Sequence, residues 1–348
     1  MQRALAIYGP DVASTLKGKM TRAGAVARAP TFEAVPIPLP IRQHHCNVTL
    51  CIDFFLVQGV PSLHTISRGI CYRTAVPVAD RSYNTILNQT RSVIKLYTLR
   101  GFHVRDIHAD EEFDYIRADV LPINLLNVVA ADGHVGEVER SIRPIKARVR
   151  ACAHGLPYRH IPKIMIRHMV ADIIRCLNQF PRKNGISQTL SPTTIVAGHA
   201  RPDYNSMKIE FGAYAQGFDD HTPPNTPAAR SIGAIILNST GNAQGAYNFI
   251  SLATGACISR HRWTELPILD TAIARVEALA LRGKMPLLQR QGLVVEWRND
   301  QVIDDDEYDL DYAPPNHPDD VPNALSLSDS IPCVLLFLRK QWDTVRVE

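Results

Sequence analysis

The stretch Asn47–Val57 constrains the fold more than any other part of this chain. Val48, Leu50, Ile52, Phe54 and Leu56 alternate without a break, which is the period-two signature of a β-strand with one apolar face. The opposite face opens with Asn47, Thr49, Cys51 and Asp53, so an acidic side chain sits in the middle of the strand. Gly59-Val60-Pro61 ends the run, and Leu63–Ser67 and Tyr72–Val78 read as the next two strands of a meander. Tyr83, Ile86, Leu87, Thr90, Val93, Ile94 and Tyr97 then recur at helical spacing, and Gly101 supplies a stop. Val104–His108 is a short strand leading to Ala109-Asp110, and Leu125–Ala131 is a further apolar run closed by Asp132-Gly133. Three strands, a helix, two strands and then helices predict a mixed α/β layered fold.

Val135, Val138, Ile142, Ile145, Val149 and Cys152 step by three and four residues and form one continuous apolar seam on a helix. At about 100° per residue, Glu139, Arg143, Lys146 and Arg150 gather in a second stripe, roughly 90–100° from the centre of that seam. Glu137 falls on the other side. The helix should therefore bury one face and carry a carboxylate followed by three cations along its flank. Glu139 and Arg143 are also an i,i+4 pair, which alone would contribute only a few tenths of a kcal/mol to the helix. Pro144 lies inside the helix and predicts a kink in the turn before it.

Charge is unevenly distributed. The net charge is only +4, yet residues 135–183 contain eleven Lys and Arg against three Asp and Glu. Residues 304–311 contain six acidic residues and no base. A basic block of that density suits a polyanion, because each neutralised phosphate releases counterions; a solvated helix face has the same composition. With 45% hydrophobic and 21% charged residues, the chain can build a sizeable core. No apolar run is long enough to cross a bilayer, and the first residues lack the apolar stretch of a secretory signal. Seven scattered cysteines read as reduced thiols of an intracellular protein.

Asp53, Asp110 and Glu139 come from three separate elements, and strand ends in mixed sheets are where sites form. Three carboxylates brought together repel one another and are costly to bury, whereas a pair of divalent cations removes that cost and introduces phosphoryl-transfer chemistry.

The series CIDFF at 51–55, HADEEF at 108–113 and GEVERSIRPIK at 136–146 resembles the catalytic core of copia-type LTR retrotransposon integrases. The resemblance implies an RNase H-like fold and a D, D, E triad of Asp53, Asp110 and Glu139. Glu139 takes the third place because it immediately precedes Arg140, matching the family's Glu-Arg pair. The triad would hold Mg²⁺ or Mn²⁺ ions, about 3.5–4 Å apart as in two-metal sites. Arg143 and Lys146 match positions that contact donor DNA, and Arg150 continues the stripe. LSP at 190–192 and FGAY at 211–214 resemble the segment after such cores, and YNFISLATGACISRHRW at 247–263 resembles the small SH3-like β-barrel beyond it.

The implied activity is DNA integration, with 3′-end processing followed by strand transfer, on element ends and target DNA. It implies action in the nucleus, a homo-oligomer when active, and origin as a fragment of a retroelement polyprotein. The rival readings are a catalytically inactive nucleic-acid-binding remnant and an RNA–DNA hybrid nuclease. The expected layout is a poorly ordered leader at 1–43, the RNase H-like core at 44–185, a linker at 186–208, the SH3-like barrel at 209–268 and an irregular acidic tail at 269–348.

Two further features carry less. His44, His45, Cys46 and Cys51 suggest zinc, but they lack the paired ligands across a longer gap that such sites use, and read as the start of a strand. Trp263 and Trp297 could stack on bases, although Trp263 reads as a barrel-core residue. No phosphate-binding loop, nucleophile elbow or CxxC motif is present.

Overall fold

The structure is a computed structural model that describes residues 17, 34–78, 80–127, 136–183, 185–199, 207–218, 228–242, 245–288, 295–297 and 301–302. The chain divides into two units, Met1–Val302 and Ile303–Glu348. The second unit, with the acidic run at 304–311, lies outside the described residues, as does nearly all of the expected leader up to residue 33. A short helix, α1 (Leu39–His44), stands within the remainder of that leader.

Strands β1 (Asn47–Val57), β2 (Val60–Ser67) and β3 (Arg73–Pro77) form the antiparallel meander. Helix α2 (Tyr83–Thr98) follows, and Gly101 at φ +79° turns the chain into β4 (His103–Ala109). Strand β4 returns parallel to β1. A 3₁₀ helix (Glu111–Val120) then leads to β5 (Asn124–Asn127), parallel to β4. The resulting order β3-β2-β1-β4-β5, three antiparallel strands continued by two parallel ones, is the RNase H-like topology.

Both faces of the sheet are covered. Val48, Leu50, Ile52 and Phe54 pack with Ile86, Leu87, Val93 and Tyr97 of α2 and with Phe113 and Ile116 of the 3₁₀ helix. Cys51, Phe55 and Val57 pack beneath helices α3 (Gly136–Gly155) and α4 (Lys163–Asn178). The apolar seam of α3 is buried as predicted: Val138, Ile142, Ile145 and Val149 are all shut off from solvent. Its first predicted member, Val135, lies outside the described residues. The helix runs without a break across Pro144, which is itself buried.

The predicted linker contains a helix, α5 (Pro192–Ala197). Arg100 Nε donates to the carbonyl of Ile195 at 3.1 Å, and its Nη2 donates to Val35 O at 2.6 Å. Strands β6 (Tyr214–Phe218), β7 (Ser231–Ser239), β8 (Tyr247–Ser251), β9 (Cys257–Arg260) and β10 (Trp263–Glu265) make a second, antiparallel sheet in the order β10-β6-β7-β8-β9. Trp263 is partly buried against its core, with ring centroids 4.8 Å from Tyr247 and 5.8 Å from Phe249.

This small β domain is not a bead on a tether. Tyr214, Ile235, Leu237 and Ile250 share one hydrophobic core with α3 and α4. Gly212, at φ +85°, passes so close to Leu156 that an added Cβ would lie 2.3 Å from its Cδ2.

The segment expected to be an irregular tail begins instead with helix α6 (Asp270–Arg282), whose Ala272, Val276 and Ala280 enter the same core at helical spacing. Farther on, β11 (Val295–Trp297) and β12 (Gln301–Val302) form a hairpin that joins the large sheet. Strand β11 pairs with β1 through Leu56↔Glu296 and Val57↔Val295. Among the described residues, no helix is long and apolar enough to cross a membrane.

Candidate metal and nucleic-acid site

Strand β1 is paired with β2 along one edge, from Leu50 to Val57. Its other edge is divided: β4 occupies it from Asn47 to Cys51, and β11 occupies it at Leu56 and Val57. Between the two lies Asp53. The parallel register runs to Leu50↔Ile107 and Cys51↔His108, and Asp53 and Asp110 each stand two residues beyond that last pair. Among the described residues, Asp53, Asp110 and Glu139 do not bring three ligand atoms within 4.8 Å of one another. At this point the chain has turned toward β2 and β3 on one side and β4 and β5 on the other, a topological switch point at the carboxyl ends of parallel strands.

Both carboxylates are inside the protein, Asp53 at 1% exposure and Asp110 at 3%. The backbone N–H of Phe54 donates to Asp53 Oδ1 at 2.6 Å, and Asp53 Oδ2 and Asp110 Oδ1 are sealed from solvent. Asp110 precedes the 3₁₀ helix, yet its carboxylate does not cap it. Hard oxygen donors of this kind fit Mg²⁺ or Mn²⁺, and a cation there would offset the cost of burying two acids.

Helix α3 lies over this face and brings two glutamates, one on each flank of the seam. Ser141, on the Glu137 flank, accepts from Arg73 Nε and lies against His64 Nε2, both at 2.9 Å. That flank therefore faces β2 and β3, and the flank carrying Glu139 and Lys146 faces away from them. Glu139 is half-buried and makes no hydrogen bond or ion pair among the described residues. Glu137 forms an ion pair with Arg68 through Oε1 and faces Cys51 Sγ through Oε2 at 4.0 Å.

The cationic stripe is not uniform. Arg143 is exposed and Arg150 half-buried, but Lys146 is only 6% exposed. At about 70° from the seam's centre, Lys146 is drawn into the interior.

Two groups were not singled out from sequence. One is the polar chain His64–Ser141–Arg73. It extends to Asn178 of α4, which accepts from Arg73 N at 3.0 Å and donates to Arg73 O at 2.7 Å. Burial pushes the His64 imidazole down to about 3, and the Arg73 charge acts in the same direction.

The other group is Cys51, His108 and Glu137, whose ligand atoms all lie within 4.8 Å of one another. Burial, with the Glu137 charge, pushes the Cys51 thiol up to about 12. Burial and Arg68 hold His108 below the ordinary histidine value. The period-two spacing was the available signal, because Cys51 and His108 each stand two residues before an aspartate and so share its face. Of the zinc candidates near Cys46, His44 instead contacts the Pro40 carbonyl through Nδ1 at 2.9 Å.

No family model matches the chain, and no curated protein matches it. Among solved structures, the crystal structure of the catalytic core domain of BIV integrase aligns with 43% of this chain and 93% of its own, at 15% identity and a TM-score of 0.31. A likeness of that size adds nothing to the fold already established by the strand order.

Proposed function

We propose that this chain is a metal-dependent polynucleotidyl transferase of the copia integrase kind, which trims a DNA 3′ end and joins it to target DNA. One observation supports the reading: two aspartates, both buried, each follow the last paired positions of β1 and β4 by two residues, on a sheet covered by a helix rich in cations. Asp53 and Asp110 would hold the cation pair, with Glu139 from the helix flank that faces away from β2 and β3. Bound there, divalent cations supply charge that activates an attacking oxygen and stabilises a leaving one. Arg143 and Arg150 would take backbone phosphates, which position DNA without reading its sequence. Lys146, being buried, would act on the carboxylate cluster rather than on DNA. In the joining step the 3′-hydroxyl oxygen attacks a target phosphorus and gives its proton to solvent, while the bond from that phosphorus to the target 3′-oxygen breaks and that oxygen takes up a proton from solvent. The second sheet would contribute an SH3-like surface, and joining two ends calls for more than one copy of the chain, acting in the nucleus.

A labelled duplex end incubated with the full chain over a Mg²⁺ or Mn²⁺ titration tests this. Shortened and joined products are expected, and they should fall at least about 100-fold in Asp53→Asn and Asp110→Asn. Products that need no metal, or that survive both substitutions, would overturn the reading.

One observation favours the alternative, a non-catalytic DNA-binding remnant. Lys146 is buried on the Glu139 flank, so an amine occupies the interior where a catalytic site would rely on a metal. That reading expects salt-dependent DNA binding with no product at any metal concentration.

A further inference from the structure

We propose that Cys51, His108 and Glu137 form a zinc site, separate from the aspartate pair. The three side chains come from three elements, β1, β4 and the first turn of α3, and their ligand atoms lie within 4.8 Å of one another. Zinc bonds of roughly 2.0–2.3 Å in a tetrahedral arrangement hold ligand atoms about 3.3–3.7 Å apart. The 4.0 Å from Cys51 Sγ to Glu137 Oε2 is close to that spacing. Cys51 is fixed inside the sheet, whereas His108 and Glu137 are half-buried and can close on it by side-chain rotation.

The donor chemistry selects the metal. A thiolate, an imidazole and a carboxylate together suit a borderline cation, and the sulfur excludes Mg²⁺ and Ca²⁺. Charge balances as well, since Zn²⁺ neutralises the thiolate and the carboxylate while the imidazole binds neutral. Zinc binding displaces the Cys51 thiol proton to solvent, so affinity rises with pH.

An outer partner is already in place. Arg68 engages Glu137 Oε1, which turns Oε2 toward Cys51. Carboxylate ligands are commonly oriented by a second hydrogen bond of this sort. Three protein ligands leave a fourth position, on the half-exposed side of His108 and Glu137, for water. The site lies two residues before Asp53 on β1 and two before Asp110 on β4, so the ion would pin the start of α3 over the sheet. It requires nothing of the proposed DNA chemistry.

Cobalt substitution tests it. The full chain, stripped of metal and titrated with Co²⁺, should develop a near-ultraviolet thiolate-to-cobalt charge-transfer band. The band should saturate at one equivalent, vanish on adding Zn²⁺ and persist in excess Mg²⁺. His108→Ala and Glu137→Gln, at half-buried positions, should each weaken binding at least about tenfold. Cys51→Ser should abolish the band, while Cys257→Ser and Asp53→Asn should leave it unchanged. Zn²⁺ should raise the Tm of the wild type more than that of His108→Ala. Absence of the band, or a band indifferent to His108→Ala and Glu137→Gln, would overturn the site and show a buried thiol beside an ordinary ion pair. These two variants decide the matter even where Cys51→Ser fails to fold. DNA joining plays no part in any of these readouts, so either proposal can fail alone.

Discussion

His64 Nε2 and Ser141 Oγ lie 2.9 Å apart, joining the middle of β2 to α3. The direction of this hydrogen bond follows from its neighbours. Arg73 Nε can only donate, and it donates to Ser141 Oγ at 2.9 Å. The Ser141 proton is therefore available to His64 Nε2, which accepts it. His64 Nδ1 then carries the ring proton and donates to Thr74 O at 2.7 Å. The imidazole is neutral and its tautomer is set by the network.

This network makes stability depend on pH. His64 is fully buried beside Arg73, in register with Asp53 across the β1–β2 pair, and its imidazole is pushed down to about 3 against an unfolded value of about 6.5. Below about 6.5 the unfolded chain binds a proton that the folded chain refuses. The contribution of His64 is thus complete above that pH and is lost as the pH falls toward 3, at up to about 1.4 kcal/mol per pH unit. Denaturant melts between pH 7 and 4.5 should show this slope in the wild type and a shallower one in His64→Gln. Ring ¹⁵N shifts should report an Nδ1–H tautomer that does not titrate across that range.

Ser141→Ala removes the hydroxyl that both receives from Arg73 and donates to His64. Two buried groups then lose a partner, a cost of about 1–3 kcal/mol for each neutral group and more where charge is involved. A drop of about 2–4 kcal/mol in unfolding free energy is expected, measured by urea melts. Ser141→Thr, which keeps the hydroxyl, should recover part of it.

The two glutamates of α3 should separate cleanly. Glu139 lies on the flank away from β2 and β3, and Glu137 is held by Arg68. In a strand-transfer assay Glu139→Gln should lower product at least about 100-fold. Glu137→Gln should leave most of the activity while abolishing the pairing to Arg68. The reverse ranking would move the third acid to Glu137.

Much of the fold around this site was legible in the sequence, for physical reasons that differ by residue. Alternation along Asn47–Val57 exposed a strand and its two faces, because side chains there must point up and down in turn. The three- and four-residue steps from Val138 to Val149 exposed the helix and the angle of Glu139, since a helix fixes that angle locally. Lys146 was not legible as a buried residue: the depth at which a flank sinks depends on the neighbouring elements, which the helical period does not contain. The network of His64, Arg73, Ser141 and Asn178 joins residues up to 105 positions apart, and only the assembled layers bring them together. Helix α6 and the β11–β12 hairpin were obscured because the acidic run that follows them gave the whole C-terminal segment the composition of a tail.

DNA binding should track the exposed cations of α3. Arg143 is exposed and Arg150 half-buried on the same stripe, so each can neutralise a phosphate. Removing one phosphate contact should reduce the slope of log K against log salt by about one and weaken binding evenly across sequences. Arg143→Ala and Arg150→Ala are expected to behave in this way in fluorescence anisotropy over a salt series. Lys146→Ala should barely change the slope, because its ammonium is buried, while strand transfer falls. An unchanged slope in Arg143→Ala would remove α3 from the DNA interface.

The docking of the second sheet rests on a small contact that can be broken selectively. Tyr158 Oη donates to Gly212 O at 2.8 Å, and Gly212 takes a left-handed φ of +85° directly against Leu156. Tyr158→Phe keeps the ring and removes only the hydrogen bond, for a loss of about 1 kcal/mol. Gly212→Ala adds a Cβ 2.3 Å from Leu156 Cδ2 and also strains the backbone, so it should cost more, about 2–4 kcal/mol. Leu156→Ala in the Gly212→Ala background relieves the clash but not the φ strain, and should recover only part of the loss. Because Tyr214, Ile235 and Leu237 lie in one core with α3 and α4, calorimetry should show a single transition for residues 34–288 that shifts as a whole in these variants. Two separated transitions would mean that the β domain folds independently of the core.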